Sequence, residues 1–415
     1  MNNSITLHKR QYALPTQPVV VVCIDGCDPQ YITQGIADGV CPTIARFHTQ
    51  GFANTADCVM PSFTNPNNVS IITGAPPEVH GIAGNYSLDR ETGKEIMMTD
   101  ASLLRGETLL ALLSEAGIAV AVVTAKDKLR KVLGHNLNGI CFSSEKAGTC
   151  TLEEHGIDDV VELVGRPLPD MYSGDLSLFV LDAGLALLKQ KRAQVLYLSL
   201  SDYIQHKFAP GTAESNEFLK AIDNRLQTFI ELGAIVGCVA DHGMSDKNNS
   251  NGTPNVIFLQ DKLEERFGAK SARVICPITD PFVRHHGALG SFVRVYAKDP
   301  ANIEAMIDYI SGLPGIEDTL SRQQAAIKLG LPEDREADIV VISSESCVLG
   351  SCTSEHDLST VGDRPLRSHG GYSEQSVPFM LSHPMSEKYL QYAASTRLRN
   401  FDIFDFAFNG VRENN

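Results

Sequence analysis

One hydroxyl, three carboxylates and three imidazoles stand out in this 415-residue chain as side chains whose types and settings could do chemistry. The hydroxyl belongs to Thr64, in the stretch Met60 to Gly74, MPSFTNPNNVSIITG. Pro61 and Pro66 mark a turn, Asn65 offers a cap, and Val69, Ile71 and Ile72 supply apolar residues for a helix to bury. A threonine at a helix N-terminus faces unpaired backbone N–H groups and the positive end of the helix dipole. A phosphoryl group bonded to it would be stabilised there, so the position suits a nucleophile. Taken alone, the segment reads more often as a plain N-cap, a role threonine commonly fills.

The other six residues suit a metal. Asp25 follows the apolar run PVVVVCI, Asp202 and His206 follow Val195–Leu200, Asp241 and His242 follow Ala234–Ala240, and His369 stands in Ser-His-Gly-Gly. A D-x3-H spacing puts both side chains on one face if the segment is helical. Carboxylate oxygen and imidazole nitrogen together fit zinc or manganese better than calcium or magnesium, which prefer oxygen alone. Each residue also has a bland reading: an Asp at a strand end is usually a turn or cap residue, and a loop histidine is usually solvated. The recurrence of acids at successive strand ends, with a Thr-led helix after the first, is what favours a site.

The elements that must position these residues alternate in type. Pro18–Ile24, Ile118–Thr124, Val195–Leu200 and Ala234–Ala240 read as buried strands, with helices over Leu103–Ala116, Leu176–Lys191 and Glu214–Leu232 between them. The fold class is therefore α/β, with a mostly parallel central sheet and helices on both faces. In such sheets ligands bind at the carboxyl edge of the strands, where Asp25, Asp202 and Asp241 fall. After Met244 the elements shorten and pair, which predicts an inserted α+β cap subdomain over residues 248–364. Residues 1–247 and 365–415 form the core. Lys126 and Lys128 reach the same edge after Thr124, and Asn85 lies in the glycine-punctuated loop Gly81–Tyr86. Two lysines in a K-D-K turn are as readily a solvated helix start.

Composition excludes several classes. With 35 basic against 50 acidic residues the net charge is −15, which argues against a nucleic-acid partner. No apolar run approaches the ~20 residues of a membrane span. Ten cysteines are scattered without a C-x-x-C pair, which predicts reduced core thiols and a cytoplasmic protein.

Taken in order, VVVVCIDG, PSFTNPNNVSIITGAPPEVHGI, SDYIQH, VADHGMSDK and RSHGGYSE resemble the two-zinc branch of the alkaline phosphatase superfamily. Within it they are most similar to the phosphonoacetate hydrolases, with the nucleotide pyrophosphatase/phosphodiesterases next. The resemblance implies two Zn²⁺ per subunit, one held by Asp202, His206 and His369. It implies the second on Asp25, Asp241 and His242, with the oxygen of Thr64 as a further ligand. It implies cleavage of the carbon–phosphorus bond of phosphonoacetate to acetate and phosphate through a phospho-threonine intermediate, and a homodimer. A small anionic phosphonate would be the partner, bordered by Thr64, Asp202 and His369. Asn85, Lys126 and Lys128 are candidates for its non-reacting end, and Arg284, His285 and His286 are weaker candidates for a lid contact. The alternative is phosphodiester hydrolysis of the nucleotide pyrophosphatase kind. It would call for an aromatic slot, and this chain has no tryptophan and 7% aromatic residues. Threonine in place of the phosphatases' serine makes monoester specificity the less expected outcome.

Overall fold

The computed structural model describes residues 3–90, 92–279, 287–358 and 364–412. Eleven of its strands make two sheets: β1 (Val19–Cys23), β2 (Phe52–Asp57), β3 (Val120–Thr124), β4 (Ile140–Ser143), β5 (Val195–Ser199), β6 (Ile235–Val239), β7 (Ala272–Ile275), β8 (Phe292–Ala297), β9 (Ile316–Ser321), β10 (Ile339–Ser343) and β11 (Ser376–Leu381). The central sheet has the order β2-β11-β6-β1-β5-β3-β4, and β11 alone runs against the others.

Every residue of β1, β3, β5 and β6 is buried. Alternate side chains of a strand point to opposite faces, so full burial means that both faces of the sheet are covered. The helix Asp175–Lys189 packs on β3 and β5, and Ala213–Glu231 packs on that helix and on β6. The parallel register aligns Cys23 with both Val239 and Ser199, and Ser199 with Thr124. The chain therefore leaves four neighbouring strands at one level, and Asp25, Asp241, Asp202 and Lys126 all follow within three residues of that line. The antiparallel β11 pairs Phe379 with Val239, so its start points to the same edge and the residues before it, His369 among them, arrive there.

The second sheet, β7-β8-β10-β9, is wholly antiparallel and covered by helices Leu259–Phe267, Ile303–Ser311 and Arg322–Leu329. Its apolar core, built from Leu259, Val274, Phe292, Met306, Ile339 and Val341, also takes in Met60 and Phe63. The turn that presents Thr64 is thereby wedged between the two sheets.

Several expectations are corrected. Asn65 does not cap the Thr64 helix: Phe63 holds the N-cap position in extended conformation, and Asn65 is buried in the first turn. The helix read over Leu103–Ala116 is shorter, Leu109–Glu115, because Thr108 caps it by accepting the Ala111 N–H at 3.1 Å. The loop Gly81–Tyr86 runs into a hairpin of Tyr86–Leu88 with Glu95–Met97.

Candidate active site and metal centre

Thr64 is the first residue of the helix Thr64–Thr73, half-buried, with its Oγ1 3.3 Å from His242 Nε2. The preceding Ser62 fixes this turn: its hydroxyl donates to the Gly371 carbonyl (2.8 Å) and accepts from the Gly370 N–H (3.1 Å). Phe63 packs edge-on against Phe292 and against the His369 ring.

The three imidazoles are set by one device. His206 Nδ1 bonds the Arg367 carbonyl (2.8 Å), His242 Nδ1 the Gly243 carbonyl (2.9 Å) and His369 Nδ1 the Ser62 carbonyl (2.8 Å). A carbonyl only accepts, so each Nδ1 is the donor in its bond and each Nε2 points inward. Inward lie carboxylates. His206 Nε2 is 2.8 Å from Asp202 Oδ2, His369 Nε2 is 3.9 Å from the same oxygen, and His242 Nε2 is 3.3 Å from Asp25 Oδ1 and 3.8 Å from Asp241 Oδ2. The Asp202–His206 pair sits in one helical turn, closed by the His206 N–H to the Asp202 carbonyl at 3.0 Å.

Two groups of ligand atoms, each mutually within 4.8 Å, result: Asp202, His206 and His369, and Asp25, Asp202 and His242. Asp202 is common to both. Asp241 stands beside the second, with Oδ1 accepting the N–H groups of Gly26 (3.2 Å) and His242 (3.1 Å).

The electrostatics of these buried groups ask for cations. Burial, then the neighbouring charges of Asp202 and Asp241, pushes the Asp25 carboxyl well above its usual range, and burial raises Asp241 despite His242. Burial, then His242 and His206, drives His369 well down, so its ring is neutral. Among the described residues no donor reaches the buried Asp25 Oδ1. Three acids and three inward-facing imidazole nitrogens have the chemistry to hold divalent cations.

The remaining candidates are more dispersed. Lys126 follows β3 at the N-cap of the helix Asp127–Leu133, with its ammonium on the Met171 carbonyl (3.3 Å) and over the Tyr172 ring. Lys128 is half-buried in the first turn of that helix, which packs against the Thr64 helix. Asn85 is tied to the second sheet's side of the molecule, with Nδ2 3.4 Å from the Ile278 carbonyl and Oδ1 buried with no hydrogen-bond partner among the described residues. Arg284, His285 and His286 lie outside the described residues.

Sequence reasoning missed the supporting residues Ser62, Asn68, Arg367, Lys247 and Glu374. The signal for one of them was present: Asn65, Asn67 and Asn68, three asparagines in a helix that also carries Val69, Ile71 and Ile72, need buried partners.

The sequence model of the type I phosphodiesterase / nucleotide pyrophosphatase family matches residues 19–371. Structures of phosphonoacetate hydrolase from Sinorhizobium meliloti, in complex with phosphonoformate and with phosphonoacetate, are 46% and 45% identical to this chain. Each alignment covers 98% of this chain and 99% of the other, with TM-score 0.93. Phosphonoacetate hydrolase of Penicillium oxalicum is 75% identical over 28 residues, which is 7% of this chain and 39% of that sequence. Murine ectonucleotide pyrophosphatase / phosphodiesterase 5 shares the fold, with TM-score 0.60 over 96% of this chain and 97% of the other at 16% identity.

Proposed function

The chain belongs to the type I phosphodiesterase / nucleotide pyrophosphatase family, and we propose that it is a two-zinc hydrolase that splits phosphonoacetate into acetate and phosphate. The observation that carries the reading is the convergence of Thr64 Oγ1, three carboxylates and three imidazoles at one sheet edge, in a chain 45% identical along its length to a phosphonoacetate hydrolase seen with phosphonoacetate.

Asp202, His206 and His369 would hold one ion, and Asp25, Asp241 and His242 the other, with Asp202 at the border between them. Bound there, the ions would supply Lewis-acid charge that stabilises an ionised Thr64 hydroxyl and the phosphoryl oxygens. The charge of two divalent cations balances three carboxylates and one alkoxide. Thr64 Oγ1 attacks phosphorus as the carbon–phosphorus bond breaks, and the electron pair passes to the CH₂ carbon, spread over the neighbouring carboxylate as an enolate. Protonation of that carbon gives acetate. Water then attacks the phosphorus of phospho-threonine, and phosphate leaves as the Thr64 oxygen departs. The N–H groups of Thr64 and Asn65, in the first turn of that helix, would face the phosphoryl group.

Lys126, Lys128 and Asn85 would be the groups that receive the substrate carboxylate. Residues 248–364 serve as a cap and residues 1–247 and 365–415 as the catalytic core. All ten cysteines are unpaired, which supports a cytoplasmic setting.

The family match favours one rival, phosphodiester hydrolysis. Phosphate release from phosphonoacetate, measured beside nitrophenol release from bis(nitrophenyl) phosphate with metal-stripped and zinc-restored protein, separates the two. Phosphonoacetate turnover restored by zinc is the expected result, and turnover of the diester alone overturns the reading.

A further inference from the structure

Asn68 is fully buried one turn after Thr64, and its side-chain amide uses all of its hydrogen-bonding capacity. Nδ2 donates to the Thr64 carbonyl (3.0 Å) and to Asp241 Oδ2 (3.2 Å), while Oδ1 accepts from the hydroxyls of Tyr197 (2.7 Å) and Ser199 (2.9 Å). The orientation of the amide is not ambiguous, because a backbone carbonyl only accepts and so requires the nitrogen.

The consequence falls on Asp241. An ionised carboxylate offers about four lone-pair sites. The Gly26 and His242 N–H groups occupy those of Oδ1, and Asn68 occupies one on Oδ2. Among the described residues no further N–H takes the other lone pair of Oδ2, the oxygen 3.8 Å from His242 Nε2.

We propose that Asn68 is a positioning residue that restricts Asp241 to one-oxygen coordination and aims that oxygen at the ion shared with Asp25 and His242. Because Nδ2 also grips the Thr64 carbonyl, the same amide couples the direction of that ligand to the turn that presents the nucleophile. Tyr197 and Ser199 on β5 hold the amide from behind, so the strand that leads to Asp202 also sets the angle of Asp241. This inference rests on the two-metal reading above.

The test is zinc affinity, measured by competition with a chromophoric chelator, together with the visible spectrum of the cobalt-substituted protein. Wild type is expected to take up two equivalents. Asn68→Ala should weaken one of the two by about 10- to 100-fold, the usual effect of removing a group that orients a ligand, and leave the other within about 3-fold. The cobalt spectrum should change at the weakened site. In an Asp241→Asn background the same substitution should change affinity by less than about 3-fold, since contacts acting through one partner are not additive. Should Asn68→Ala fail to fold, Tyr197→Phe removes one rear support and should weaken the same site by a smaller factor. Two equivalents bound by Asn68→Ala as tightly as by wild type, or an undiminished loss in the Asp241→Asn background, overturns the inference alone. Failure of wild type to bind zinc overturns the two-metal reading and this inference with it.

Discussion

The imidazole rings of His242 and His369 lie face to face, with centroids 3.6 Å apart and planes 6° from parallel. Two charged rings could not rest so, and His369 is held neutral by its burial and by its neighbouring imidazoles. The rings come from segments 127 residues apart, and those segments are laced together just beyond them. The Gly243 N–H donates to the Glu374 carbonyl (2.7 Å), Glu374 Oε2 accepts the Gly371 N–H (3.0 Å), and Lys247 Nζ bonds Glu374 Oε1 (2.8 Å) and the Glu345 carbonyl (2.6 Å).

Both side chains of the Lys247–Glu374 pair are fully buried. Lys247→Met leaves the Glu374 charge without its partner and should cost about 3–5 kcal/mol of stability. Denaturant unfolding measures it. The double variant Lys247→Met/Glu374→Gln should be less destabilised than Lys247→Met, because it buries no charge. Equal stability of the single variant and wild type would show the pair to be idle.

Thr64→Ala should lower phosphonoacetate turnover by at least about 10³-fold, as loss of a nucleophile does. Zinc content should stay at or near two equivalents, because the six acidic and imidazole side chains remain. Thr64→Ser keeps a hydroxyl on the same turn and should retain measurable turnover. Activity of Thr64→Ala within 10-fold of wild type would remove the hydroxyl from the chemistry.

Stripping metal should destabilise the protein, since Asp25 and Asp241 are then left crowded and buried without a compensating charge. Zinc at about 1,000 times its Kd should restore roughly 4 kcal/mol. Thermal unfolding with and without chelator reports it, and an unchanged midpoint would contradict the metal reading.

His80 offers a pH test away from the metal ligands. It is fully buried between the Ser70 hydroxyl (2.8 Å from Nε2) and the Ile82 N–H (3.2 Å from Nδ1), and burial lowers it from 6.5 to about 3. Between those values the unfolded chain carries a proton that the folded chain does not. Stability therefore falls as pH drops below 6.5 and goes on falling to about 3. At pH 5 the loss from this group is ~2 kcal/mol. His80→Asn keeps an acceptor for the Ile82 N–H and cannot titrate, so its stability should fall less than that of wild type between pH 7 and pH 5. Parallel pH profiles would assign the acid sensitivity elsewhere.

The parallel strands were legible because four of them are apolar runs with no competing period, and Asp25, Asp202 and Asp241 followed directly from where those runs stop. The two strands at the other side of the sheet were not. Phe52–Asp57 is half polar because it is an edge, and Ser376–Leu381 contains Pro378, a residue that speaks against an interior strand. Yet the reversed direction of β11 is what brings His369 to the rim. The first contacts of Thr64 could be inferred from a turn and a helix start, whereas the grip of Asn68 on Asp241 spans 173 residues and depends on register alone. Strand β9, with Glu317 and Asp318 in its run, reads as polar loop until its partner β10 is known.

Two ions held by Asp25, Asp202, His206, Asp241, His242 and His369 would enable Thr64 to cleave phosphonoacetate. Titrating zinc into metal-stripped protein while following phosphate release tests it most directly. Turnover is expected to climb to a plateau at two equivalents per chain. A plateau at one equivalent, or phosphate release that does not respond to zinc, would contradict it.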